Sequence, residues 1–153
     1  MIPSFLANEI VTAESTRSAR LKWVIIVDKT VTPGRMVNAV ACIAAATGDM
    51  VGGLIAHGGP DADGTHHPGL PWAGCSVLAA GAEQLANVRR KASEVDGILV
   101  VDMPVAAQTN RVYDEYLAEL STTRTADVAP IALSMIGPRA EIDAIVKRLS
   151  LLA

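Results

Sequence analysis

The chain predicts an α/β domain, a mixed and mostly parallel sheet covered by helices, and three observations carry that prediction. Two continuous apolar runs, Trp23 to Val27 and Ile98 to Val101, each end in a carboxylate, Asp28 and Asp102. Runs of this kind read as strands buried on both faces. Segments with helical spacing follow each strand, and alternation of strand and helix favours right-handed crossovers between parallel neighbours. The hydrophobic fraction is 50% while aromatics make up only 3%. Small aliphatic side chains therefore fill the core and let helices lie close to a sheet.

Residues 1–21 read as an N-terminal arm or short helix, with Ser4 as a cap and Phe5, Leu6, Ile10 and Val11 on a crude stripe. Residues 22–153 read as a single domain, a usual size for one core. After the first strand, Thr32-Pro33-Gly34 sets a hydroxyl cap before a proline at the first helical position, and an alanine-rich helix runs to about Thr47 with Gly48 as its stop. The Gly, Pro, Asp and His between 50 and 72 predict a hairpin insertion, its turn at Asp63-Gly64. Cys75 to Ala80 predicts a strand, and Ala82 to Val95 a helix with Leu85, Val88, Ala92 and Val95 facing inward. Arg89, Arg90 and Lys91 then suit the negative end of that helix as a solvated cap. Val105 to Leu120 predicts one helix with Val112, Tyr113, Tyr116, Leu117 and Leu120 on one stripe. Ile131 to Ile136 completes the sheet, and Gly137-Pro138 opens a last helix facing inward through Ile142, Ile145, Val146 and Leu149.

Composition also excludes function classes. A net charge of −3 offers no broad basic face for nucleic acid. No run approaches the ~20 apolar residues of a membrane span, and the first residues lack the basic start of a secretory signal, so a cytoplasmic protein is expected. Cys42 and Cys75 form no paired motif and read as small buried hydrophobes. No nucleotide-binding or serine-hydrolase fingerprint is present.

Ligands of such sheets bind beyond the carboxyl ends of strands, which selects Asp28, Lys29 and Asp102 together with the helix starts at Pro33 and Pro138. A bland role stands beside this: Asp28 and Asp102 cap helices or pair with Lys29 and Arg35. The hairpin concentrates Asp61, Asp63, His66 and His67 after His57, but neither a hard-cation nor a zinc ligand pattern is complete. No metal and no cofactor is expected there.

The stretch Gly34 to Ala45, with its Gly, Ala and Cys42, is similar to the opening helix of the type II peptidyl-tRNA hydrolases, and Met135-Ile136-Gly137-Pro138 is similar to their closing turn. The resemblance covers most of residues 22 to 152 and implies their fold. Their essential second lysine falls on Val37 and their glutamine on Ala41, while Asp102 matches an active-site acid. A valine cannot polarise an ester carbonyl, so their reaction is not expected. A closer resemblance is to a bacterial group, domain of unknown function 2000, through Asp61-Ala62-Asp63-Gly64, His67-Pro68-Gly69, Ala106-Ala107-Gln108-Thr109 with Tyr113 and Tyr116, and Gly137-Pro138-Arg139. Three readings follow. The first is a binding or regulatory domain for an unknown small molecule, held by Asn38, Asp63, Gln108, Thr109 and Tyr113 near Asp102. The second is a hydrolase of a small ester or amide with Asp102 or His67 as base. The third is a structural homodimer, joined through the alanine-rich helix or the hairpin.

Overall fold

The computed structural model describes residues 1 to 153. Its central strand, β1 (Leu21–Asp28), is followed by the helix α1 (Pro33–Met50). Two short strands, β2 (Gly59–Pro60) and β3 (His66–His67), form a hairpin. The chain then makes β4 (Ser76–Ala80), α2 (Ala82–Ser93) and β5 (Leu99–Pro104). Two helices, α3 (Val105–Thr109) and α4 (Tyr113–Thr122), precede β6 (Pro130–Pro138), α5 (Arg139–Val146) and β7 (Ser150–Leu151).

The main sheet has the order β5-β6-β1-β4-β7. Only β1 and β4 pair in parallel, while β1 with β6, β5 with β6 and β4 with β7 are antiparallel. The expectation of a mostly parallel sheet is therefore corrected to a mostly antiparallel one. Its error has a simple origin. β1, β4 and β5 do run in one direction, as the strand and helix alternation implies, but β6 inserts between β1 and β5 and reverses both of their ladders. Each segment's hydrophobic pattern reports its own burial and says nothing about which neighbour it meets.

Alternation along β1 divides the core in two. Leu21, Trp23, Ile25 and Val27 face α1, whose Ala39 and Ile43 are buried on them. Val24 and Ile26 face α2 and α5, through Leu85, Val88, Ala92, Ile142 and Val146. Within the α1 layer a polar chain is also buried: Trp23 Nε1 donates to Ser134 Oγ at 2.8 Å, the Ser134 and Thr47 hydroxyls lie 2.7 Å apart, and Thr47 Oγ1 donates to Ile43 O at 2.7 Å. All three side-chain groups are thereby satisfied, as burial demands.

Several local expectations shift. Pro33 does open α1, but the Thr32 side chain makes no capping bond, and the helix passes Gly48 to end at Met50. The single helix expected from Val105 to Leu120 is broken: Asn110 is extended, and both its backbone N–H and its Nδ2 donate to Ala106 O. An Asx side chain that competes for helix carbonyls in this way ends the first segment. The apolar and aromatic stripe read there contributes no buried residue to α4; Tyr113 is 72% and Val112 51% exposed. Residues 1–20 carry two 3₁₀ turns, Ala7–Glu9 and Thr16–Ser18. Phe5 is buried there, its ring centroid 4.9 Å from that of Trp72, and its N–H donates to Gly52 O at 2.9 Å. The hairpin turns where expected, with Gly64 at φ 85°, and Asp61 Oδ1 accepts from the N–H groups of Asp63 and Thr65. No helix is long and apolar enough to cross a membrane.

Candidate functional site

A cleft of about 440 Å³ opens where the edge strand β5 meets α1 and the corner between α3 and α4. Its floor is Cys42, Ile43 and Ala46 from α1 with Val101 and Met103 from β5. Period-two alternation sends those two β5 side chains toward α1, and Ile43 and Ala46 share a face of the helix. Asp102, Asn110, Arg111, Tyr113 and Tyr116 form the polar part of the lining. The break at Asn110 creates this corner, because it lets α4 leave the sheet and stand its two tyrosines at the mouth with ring centroids 5.5 Å apart.

Asp102 is engaged. Arg89 on α2 donates through Nε to Asp102 Oδ2 at 2.5 Å, with both side chains about three-quarters buried. This corrects two expectations together: Arg89 is not a solvated cap, and Asp102 pairs with neither Lys29 nor Arg35. Asp28 instead accepts at Oδ1 from Thr30 N and Oγ1, a local turn contact. The phenol of Tyr116 is held above its ordinary range, chiefly by desolvation and then by the negative charge of Asp102 and by Tyr113. It is therefore a protonated donor at neutral pH, and neither its hydroxyl nor the Arg111 guanidinium has a protein partner.

The remaining predicted site residues fall in two other places. Gln108 Nε2 donates to Asn38 Oδ1 at 2.9 Å and to Arg35 O at 2.8 Å, while Arg35 Nε donates to Gln108 Oε1 at 3.0 Å. These three ties staple α3 to the start of α1. The Thr109 hydroxyl bonds back to Val105 O and Ala106 O within its own helix. In the hairpin, His67 Nε2 lies 3.2 Å from Asp61 Oδ2, and that contact, more than the Thr65 N–H bond, holds the Asp61 carboxyl below its usual range. Neither Asp63 nor His67 lines the cleft that holds Asp102. No group of three or more His, Cys, Asp or Glu side chains is placed to hold a metal ion.

Both cysteines are exposed, against the expectation of burial. Cys42 lies on the cleft floor, and Cys75 stands just before β4. Sequence reading also missed Arg89 as the partner of Asp102 and Arg111 as a cleft residue. No local signal marks them: the partner of Arg89 lies on another element, and Arg111 is placed by the helix break.

No curated protein matches the chain. The fold is that of a solved structure of a protein of unknown function from Agrobacterium tumefaciens, at a TM-score of 0.75 and 18% identity over 88% of this chain and 98% of that one. A family model described as protein of unknown function (DUF2000) matches residues 21–153, the whole sheet with its helices, and the chain belongs to that family.

Proposed function

We propose that the cleft beside β5 binds a small molecule with an apolar body and a hydrogen-bond-accepting or anionic head. One observation carries this reading: an apolar floor rimmed by donors that no protein group uses, Arg111 and Tyr116. Its volume is that of a small-ligand site. Asp102, tied to Arg89, shapes the rim, and Tyr113 covers it. Binding is favoured over hydrolysis by Asp102 or His67, since the acid is spent on an arginine and the histidine sits on another element. Kinship with the type II peptidyl-tRNA hydrolases is part of the same reading, supported by the order of elements around β1 and α1. Their reaction is not, because Val37 supplies no cation.

The test is a thermal-shift series with short aliphatic and aromatic carboxylates against the corresponding amines. Carboxylates are expected to raise Tm, and Ala46→Trp, which fills the floor, to abolish the rise. A ligand at a hundred times its Kd adds about 2.7 kcal/mol. Stabilisation that survives Ala46→Trp, or none from any carboxylate, overturns the proposal.

A second reading, a homodimer, is favoured by the outer face of α1. Val37, Ala41, Cys42 and Ala45 are exposed there, and the only charges on the helix, Arg35 and Asp49, stand seven residues either side of Cys42. Antiparallel packing of two copies about Cys42 sets each arginine against the partner's aspartate. Sedimentation at micromolar concentration should show a dimer that Ala41→Glu dissociates; a monomer removes this reading.

A further inference from the structure

We infer that a second site, at the amino ends of β1 and β4 and away from the β5 cleft, binds the phosphate group of a small phosphomonoester. A cavity of about 270 Å³ lies there, lined by Arg17, Lys22 and Arg139 together with the hydroxyl residues Thr16 and Ser76. No carboxylate residue lines it. On a chain of net charge −3 such a convergence of three cations runs against the global balance.

Each cation comes from a different element. Lys22 is the second residue of β1, and Arg139 is the first of α5, placed beside β1 because Leu21 pairs with Pro138. Arg17 comes from the 3₁₀ turn Thr16–Ser18, which packs on the loop before β4: a Cβ at Gly74 would lie 3.3 Å from Thr16 Cβ. Ser76 is the first residue of β4 and pairs with Val24. The sheet register therefore fixes the floor, and the N-terminal arm supplies the outer wall.

The charges are only partly compensated. Lys22 pairs with Asp143 of α5, which is half exposed and does not line the cavity. Arg139 donates through Nε and Nη2 to the neutral carbonyl of Ala19, at 3.3 and 2.9 Å. The Arg17 guanidinium has no protein acceptor; only its backbone N–H is bonded, to Ser15 Oγ. Two positive charges are thus left without a counter-charge, the complement of a phosphate dianion. Guanidinium forks and hydroxyls match tetrahedral oxygens in geometry, where a single carboxylate would leave donors unused. The cavity exceeds what bare phosphate fills and leaves room for a small ester group.

Backbone NMR of the full chain, titrated with inorganic phosphate, glycerol phosphate and, as an ionic-strength control, sodium chloride, tests the assignment. Shifts are expected at Arg17, Gly74 and Ser76 with both phosphates, stronger for the ester, and absent with chloride. Arg17→Gln, at an exposed side chain with no structural bond, should weaken binding about tenfold, as loss of one charge-assisted hydrogen bond does. Binding of inorganic phosphate as tight as that of the ester would retain the anion site and overturn the ester. No shift with either phosphate at tens of millimolar, shifts reproduced by chloride, or affinity unchanged in both Arg17→Gln and Lys22→Gln overturns the site itself.

Discussion

Ser134 and Arg89 show how single side chains hold this molecule's polar interior. Trp23, Ser134 and Thr47 form one directional chain that ends on the Ile43 carbonyl, so the serine hydroxyl both accepts and donates. Ser134→Ala leaves the indole N–H buried without a partner and should cost roughly 1–3 kcal/mol. Urea denaturation followed by tryptophan fluorescence measures it, and an unchanged midpoint would mean that the chain is not needed. At the β5 edge, Arg89→Ala leaves the Asp102 carboxylate in a site about three-quarters closed to water. The loss should lie between that of an exposed and a fully buried pair, about 1–3 kcal/mol. Pairing Arg89→Ala with Asp102→Asn in a double-mutant cycle separates the ion pair from the general effect of truncation.

Two elements invite tests of their own. The N-terminal arm is tied down by Phe5 and by Glu9, whose carboxyl is lowered from 4.5 to about 2, first by its hydrogen bond from Arg20 and then by the Leu6 N–H. Because the folded value lies below the unfolded one, the contribution is complete above pH 4.5 and is lost as the pH falls toward 2. Acid titration should release the arm first, seen as loss of the Phe5 ring shifts caused by Trp72, and Glu9→Gln should show those shifts already weakened at neutral pH. The hairpin depends on close backbone approach at its base. A Cβ on Gly69 would collide with the Ala56 carbonyl oxygen, so Gly69→Ala should break the pairing of Ile55 with Pro71. Hydrogen exchange of the Ala56 amide, which bonds Leu70 O, reads that directly. Protection equal to that of the parent would show that the loop adapts.

Across the whole molecule, one sheet carries two apolar layers that share every strand of its centre. Ile25 lies in the α1 layer and Ile26 in the layer under α2 and α5, both nearly inaccessible. Replacing either by alanine should cost about 2–5 kcal/mol. Since both side chains belong to one strand, each loss is expected to move a single cooperative transition, with far-ultraviolet circular dichroism and fluorescence midpoints coinciding. Separate transitions in either variant would show that the layers unfold independently.

The amino-acid sequence by itself determined the elements that bury enough surface to dictate their own conformation: β1, α1, β4, α2, β5, β6 and α5 stand close to where apolar periodicity and Pro33 and Pro138 put them. It also marked the Asp63-Gly64 turn and the family. The tertiary structure alone decided the insertion of β6, the added β7 edge, the departure of α4 from the sheet and the partner of Asp102. Each of those depends on contacts between residues distant in the chain, and side-chain patterns record how much water a residue avoids, not which neighbour excludes it. For the same reason the cleft residues Arg111 and Cys42 and the three cations at the amino ends of β1 and β4 carry no mark in the chain, for only the folded register brings them together.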